Sequence, residues 1–179
     1  MKIIITGHTR GVGKILYERY KAAGHEVLGY SASSGFNLSR EDKQIFVARE
    51  LKTADVFINN APGLFQHQML IRALDSMSGR KGTVVCSLSS LTSRYGVGQS
   101  LEYSAEKAAV DIVSATHQQR SPDRWPASLL YRAGYIDTDR SANKTAPKVS
   151  AKDVADMIIW SVQAAHEDRF RVNEILVVK

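Results

Sequence analysis

Tyr103 and Lys107 stand four residues apart in the run Tyr103-Ser104-Ala105-Glu106-Lys107. On a helix that spacing puts both side chains on one face, one turn from each other, so that they can act on one ligand. A tyrosine titrates at about 10 in isolation, and a neighbouring ammonium favours the phenolate by ~1–3 units, which moves the phenol toward proton transfer near neutrality. A second feature with chemical content is Thr6-Gly7-His8-Thr9-Arg10-Gly11-Val12-Gly13, which falls between a β-branched run, Lys2 to Thr6, and apolar residues at helical spacing, Val12, Ile15, Leu16 and Tyr20. Glycines in a strand-to-helix turn let the backbone approach a pyrophosphate while the helix N-terminus presents free N–H groups to it. An anion site is therefore expected at Gly7, Thr9, Arg10, Gly11, Val12 and Gly13. The spacing is G-x-x-x-G-x-G rather than G-x-G-x-x-G.

Dinucleotide sites that prefer NAD place an Asp or Glu near the end of the second strand, where the carboxylate receives the ribose hydroxyls. Tyr30 and Ser31 occupy that place here, after the short apolar strand Val27 to Tyr30. With no carboxylate to repel a 2′-phosphate, and with Arg10, Ser31, Ser33 and Ser34 as donors, NADP is expected over NAD.

The elements that must position these groups follow from periodicity. Gly24 closes the first helix, completing β-α-β within the first 30 residues. Phe36 to Leu38 is expected as a brief third strand, followed by a helix to Leu51 that Ser39-Arg40-Glu41-Asp42 would cap. Further strands are expected at Asp55 to Asn60, Thr83 to Leu88, Ala127 to Tyr131 and Ile175 to Val178. Helices are expected around Met69 to Met77, over Leu101 to Gln118, and after the capping pattern Ser150-Ala151-Lys152-Asp153; Arg132 to Pro147 reads as irregular. Strands alternating with helices predict an α/β fold, a doubly wound Rossmann-type parallel sheet in three α/β/α layers. The 179 residues, 44% apolar and 23% charged, suit one domain over 1–179 and exclude disordered, collagenous and disulfide-scaffold classes.

The single Cys86 sits in the apolar run Val84 to Leu88 and reads as a buried thiol. The net charge is +6, yet the basic residues are dispersed with no block of five like charges, so no nucleic-acid partner is expected. No apolar run approaches the ~20 residues of a membrane span, and Lys2 with Ile3-Ile4-Ile5 is too short for a secretory signal. A cytoplasmic protein with no membrane partner is expected, and no metal centre.

Together the motifs resemble the short-chain dehydrogenases/reductases of the classical type, in shortened form and over nearly the whole chain. The turn Thr6 to Gly13, Asn59-Asn60-Ala61, Ser90 thirteen residues before Tyr103, and Tyr103 with Lys107 stand in that family's order. Gly134-Tyr135-Ile136-Asp137-Thr138 resembles its P-G-x-I-x-T segment, with Ala133 in place of proline. The resemblance implies an NADP(H)-dependent carbonyl reductase or alcohol dehydrogenase working on a small molecule by hydride transfer. It implies that Tyr103 exchanges a proton with the substrate oxygen, that Ser90 polarises that oxygen, and that Lys107 holds the nicotinamide ribose and lowers the phenol's pKa. It further implies cofactor contacts from the turn, adenine contacts from Asn37 and Leu38, ribose-side contacts from Asn60 and Ala61, and carboxamide contacts from Ile136 and Thr138. The family assembles as dimers or tetramers, so a homo-oligomer is implied, with the apolar faces of the Tyr-Lys helix and of the last helix as its surfaces.

The departures matter as much. Only six positions separate Ser31 from Asn37, so the helix usual between the second and third strands is absent or reduced to a turn. No asparagine occurs from Ala61 to Ser90, where the family places a further catalytic Asn that supports a proton relay through the lysine, so either Gln66, His67 or Gln68 stands in or the relay is missing. The thirteen residues from Thr138 to Ser150 make little lid, and Arg140, Lys144 and Lys148 there raise the prospect of a negatively charged substrate, beside the plainer reading of a solvated loop. These departures keep open the alternative of a non-catalytic NADP(H)-binding sensor or partner-binding module with a truncated site.

Overall fold

In β1 (Lys2–Thr6), Ile3 and Ile5 point to one side, Ile4 to the other, and none is exposed. A strand apolar on both faces belongs inside a parallel sheet covered on both sides. The computed structural model describes residues 1–91, 93, 100–120 and 125–178. After β1 come α1 (Gly11–Ala22), β2 (Glu26–Tyr30), a 3₁₀ turn at Ala32–Ser34, α2 (Glu41–Leu51), β3 (Val56–Asn59), α3 (Gln66–Ser76) and β4 (Val84–Ser90). The second half holds α4 (Leu101–Arg120), β5 (Ala127–Ala133), β6 (Ile136–Asp137), a 3₁₀ turn at Asp139–Ser141, β7 (Val149–Ser150), α5 (Ala151–His166) and β8 (Glu174–Val177).

Six strands form one parallel sheet in the order β2-β1-β3-β4-β5-β8, and β6 pairs with β7 in a small second sheet. On the Ile3 and Ile5 face, Val12 and Leu16 of α1 pack with Val154 and Ile158 of α5. On the Ile4 face, Val47 and Leu51 of α2 join Met69 and Leu70 of α3 and Val110 of α4. This is the doubly wound, three-layer arrangement expected. Cys86 is fully buried in β4. Among the described residues no helix is long and apolar enough to cross a membrane.

The expected third strand at Phe36–Leu38 does not form, and β2 is the sheet edge. Local bonds use the chain there: the Phe36 N–H donates to Ser31 O, and Asn37 Oδ1 accepts from the Ser39 N–H and hydroxyl at 3.1 and 2.9 Å. Such an Asx turn competes directly with a ladder. It also diverts Ser39 from capping; Arg40 is the N-cap of α2 and makes no side-chain cap. Ser150 does cap α5, accepting from the N–H groups of Lys152 and Asp153. The stretch expected to be irregular after Tyr131 instead carries the end of β5, β6 and a 3₁₀ turn. Most of the loop after β4 lies outside the described residues.

β1 pairs with β2 on one side and β3 on the other, so the connections leave its C-terminal end in opposite directions. The crevice at such a reversal is where open α/β sheets bind ligands.

Candidate active site

A cavity of about 1180 Å³ opens at that crevice. This exceeds the ~300–1,000 Å³ usual for drug-sized ligands. Of the turn residues, Gly7, Thr9, Arg10, Gly11 and Val12 line it, as do Ser31, Asn37, Leu38, Asn60 and Ala61 around the edge of the sheet. Ser90, Tyr103, Lys107, Ile136 and Thr138 line it as well. Gly13 does not. A Cβ at Gly13 would overlap the Gly7 carbonyl oxygen and the Asn60 amide, so this glycine lets α1 pack under the turn.

The turn end is built largely from backbone. Gly7 and Gly11 have φ of 70° and 55°, a left-handed region that side chains rarely adopt. Asn60 braces the turn by donating from Nδ2 to the carbonyls of Thr6 and Gly7, both at 3.1 Å, while the Thr6 hydroxyl accepts from the N–H groups of Asn60 and Ala61. At the start of α1, Arg10 makes no side-chain cap and no acidic residue stands in the first turn. The helix's first N–H groups are thus left to a ligand, with a polarity that favours an anion. Arg10 is exposed and in no ion pair among the described residues. Beside it the Thr9 hydroxyl meets Ser33 Oγ at 2.9 Å, and Ser33 meets Ser31 Oγ at 3.0 Å. Tyr30 turns into an aromatic cluster with Phe36 and Phe46, away from the cavity wall that Phe36 helps form.

The other end is assembled from side chains on separate elements. Tyr103 and Lys107 come from α4, with the Lys107 ammonium 5.4 Å from the centre of the Tyr103 ring. Lys107 is 4% exposed and donates to Leu88 O at 3.1 Å and to Gln66 Oε1. Burial pushes the Lys107 ammonium down to about 8, with the charge of Arg140 adding to the shift and Glu106 and Asp111 opposing it. Arg140, from the 3₁₀ turn after β6, lies with its guanidinium carbon 5.5 Å from the same Tyr103 ring. Ser90 closes the end of β4.

Of the three stand-ins for the missing asparagine, Gln66 is the one that reaches Lys107. It is fully buried at the start of α3, and its Nε2 donates to Asn59 O at 2.7 Å and Leu88 O at 2.8 Å. One amide thereby joins the ends of β3 and β4 to the lysine. Gln68 turns away and accepts from Gln44 of α2. His67 has a structural role: its N–H donates to Glu106 Oε1 at 2.8 Å and its Nδ1 meets Oε2 at 2.7 Å. Glu106, 6% exposed on α4, acts as a cap borrowed from another helix, because Phe65 at the N-cap of α3 supplies none. The sequence motif around Tyr103 and Lys107 contains Glu106, but nothing local signals that it reaches α3. The cavity walls from Phe36, Pro62 and Phe65 carry no sequence signal either.

No protein-family model and no curated protein sequence matches the chain. Its structure is similar to that of a 3-alpha-hydroxysteroid dehydrogenase from a Pseudomonas species complexed with NADH, with TM-score 0.81 and 18% identity over 99% of this chain and 95% of that one. It is similar to BdcA in complex with NADPH, with TM-score 0.79 and 17% identity over 98% and 91% of the two chains. A short-chain dehydrogenase from Burkholderia cenocepacia in complex with NADP follows at TM-score 0.76 and 19% identity, over 99% and 88%. The chain has the Rossmann-type fold of the short-chain dehydrogenases/reductases.

Proposed function

We propose that this chain is a short-chain dehydrogenase/reductase that uses NADP(H) to reduce a small-molecule carbonyl, or oxidise the corresponding alcohol, as a cytoplasmic homo-oligomer. The observation that carries this reading is that one cavity holds both the glycine turn with its uncapped helix end and the group Ser90, Tyr103 and Lys107.

The residues present fit the dinucleotide. The turn from Gly7 to Val12 would take the pyrophosphate, Asn37 and Leu38 the adenine, Asn60 and Ala61 the adjoining ribose, and Ile136 and Thr138 the carboxamide. Arg10, Ser31 and Ser33 would take a 2′-phosphate, and no acidic residue lines that part of the wall to repel one. The similar structures hold NADH in one case and NADPH or NADP in two, so the preference rests on these residues. When bound, the cofactor supplies a hydride to the carbonyl carbon. Tyr103 gives its phenolic proton to the carbonyl oxygen, so that the C=O π bond is replaced by one C–H and one O–H bond. Ser90 donates a hydrogen bond to the same oxygen and favours the charge that develops there. Lys107 holds the ribose hydroxyls and favours the phenolate that remains, and Gln66 fixes where its ammonium sits. Exposed Leu101 and Ile112 on α4 and Trp160 on α5 support association through those helices.

NADPH and NADH titrations followed by nucleotide fluorescence test the cofactor assignment, with NADPH expected at least roughly tenfold tighter. Turnover of ketones and aldehydes tests the chemistry: Tyr103→Phe is expected to lower kcat about 10²–10⁴-fold. NADPH binding with turnover that Tyr103→Phe leaves unchanged would select the non-catalytic alternative. Failure of both nucleotides to bind at micromolar levels would remove both readings.

A further inference from the structure

We infer that the substrate carries an oxyanion beside its carbonyl group, a carboxylate or a phosphate ester, and that Arg140 and Lys144 recognise it. This deepens the carbonyl-reductase reading and rests on it.

Arg140 and Lys144 both line the cavity wall, and Lys148, the third basic residue of the segment, does not. The Arg140 guanidinium stands about as near the Tyr103 ring as Lys107 does, at 5.5 against 5.4 Å. It is therefore within reach of a group one methylene away from the carbonyl whose oxygen the phenol protonates. Lys144 stands over Tyr135, with its ammonium 6.0 Å from the ring centre. Neither cation has an ion-pair partner among the described residues, whereas Arg19, Arg72, Arg132 and Arg169 all do. Asp139 is the one carboxylate on the described wall, and it pairs with neither.

The segment that carries them is held. Ser141 is 7% exposed and forms a reciprocal capping box with Thr138, the Lys144 N–H donates to Ser141 O at 2.9 Å, and β6 is fastened to β7. A guanidinium on a fixed turn has less freedom to lose on binding, and its planar fork matches carboxylate or phosphate oxygens in pairs. Electrostatics point the same way. Arg140 is one of the charges that depress Lys107, so an anion seated against Arg140 would ease that repulsion and help keep Lys107 charged for its own task.

The test compares acetoacetate with methyl acetoacetate, and dihydroxyacetone phosphate with dihydroxyacetone. They are run in the unaltered protein, Arg140→Gln and Lys144→Gln, with NADPH affinity measured alongside. An anion is expected to be favoured over its neutral counterpart by roughly 10–100-fold in kcat/KM, the range for a hydrogen bond to a charged group. Whichever pair shows the ratio separates carboxylate from phosphate. Arg140→Gln should bring the ratio to within about threefold, mainly through KM, with a smaller fall in Lys144→Gln and in high salt. NADPH affinity should hold within about threefold. Neutral compounds used as well as their anions in both pairs would overturn the inference and leave the parent reading standing. So would loss of NADPH affinity in Arg140→Gln with the ratio intact, which would assign Arg140 to the cofactor's phosphates. If NADPH binds without turnover, titration of the NADP⁺ complex with acetoacetate and its methyl ester reads the same ratio at equilibrium. If no dinucleotide binds, the parent reading fails first and this one with it.

Discussion

The two ends of the cavity are built on different physical principles. The turn end is a contiguous stretch from Thr6 to Gly13 in which backbone geometry does the positioning, with the Asn60 side chain reaching in from the end of β3 to brace it. The other end draws Tyr103 and Lys107 from α4, Gln66 from α3, Leu88 and Ser90 from β4 and Arg140 from a 3₁₀ turn. A backbone-built site fails when its geometry is crowded, and a side-chain-built site fails when one support lets go. The first kind of failure should appear in binding and stability, the second in turnover and its pH dependence.

At the turn end the largest effect is expected at Gly13. Alanine there would force its Cβ against the Gly7 carbonyl and the Asn60 amide, neither of which is the loose end of a flexible side chain. Relief requires moving the turn itself. Overpacking of this kind costs ~1–3 kcal/mol, which lowers the midpoint of thermal unfolding by roughly 2–12 °C in a chain of this size. NADPH affinity should fall about 100-fold, some 2.7 kcal/mol, because the displaced peptides are those that would face the pyrophosphate. Gly24→Ala is the control: that position also has positive φ, at 80°, but nothing stands within 4 Å of an added Cβ. Its strain should cost ~1 kcal/mol and leave affinity alone. Equal losses of affinity in the two variants would show that strain in the chain, not crowding at the turn, governs the site.

The same difference governs what is legible in the sequence. The sheet, its covering helices and the turn follow from residues close together in the chain, because β-branched runs, helical spacing and glycines act locally. Tyr103 and Lys107 are legible for the same reason, four positions apart on one helix. The third strand is not, because Phe36-Asn37-Leu38 has a strand-like pattern while the Asn37 side chain takes the following backbone into a turn. Ser39 resembles a cap in sequence, yet its hydroxyl is occupied by Asn37. Gln66 is one of three candidates in sequence, and only the packing of α3 on α4, sealed by Glu106 on the His67 N–H, selects it. The bond is between residues 41 positions apart, a separation at which no local pattern carries information.

Gln66→Leu tests the side-chain-built end. It removes an acceptor from Lys107 and two donations, to Asn59 O and Leu88 O, from a fully buried place. Each buried polar group left unpaired costs ~1–3 kcal/mol, so the variant should be less stable. A drop in stability alone, however, does not move a titration. The variant should lower kcat roughly 10–100-fold, the scale on which removing a hydrogen bond that orients a functional group acts, and shift the alkaline limb of kcat/KM to lower pH. An ammonium with fewer acceptors loses its proton more easily. An unchanged profile in a folded but slower variant would make Gln66 a packing residue only.

The smallest effect isolates Lys107 without altering the chain. Its ammonium is pushed from 10.5 to about 8 when no ligand is bound, chiefly by burial. In the free protein, the folded state then binds fewer protons than the unfolded state between those two values. By linkage, this group's contribution makes stability rise with pH across that window. Ligand binding should run the other way. An anionic dinucleotide with its ribose hydroxyls on Lys107 favours the charged form, so binding above pH 8 must draw a proton from solvent. NADPH affinity should fall by about tenfold from pH 7 to pH 9, the ratio expected when a group near 8 is raised by two units or more in the complex. Calorimetric titrations in buffers of different ionisation enthalpy would register the proton uptake, and Lys107→Met should abolish it. Affinity that stays flat across this range in the unaltered protein would mean that Lys107 keeps its proton without the ligand, and that its partners Gln66 and Leu88 already offset the cost of its burial.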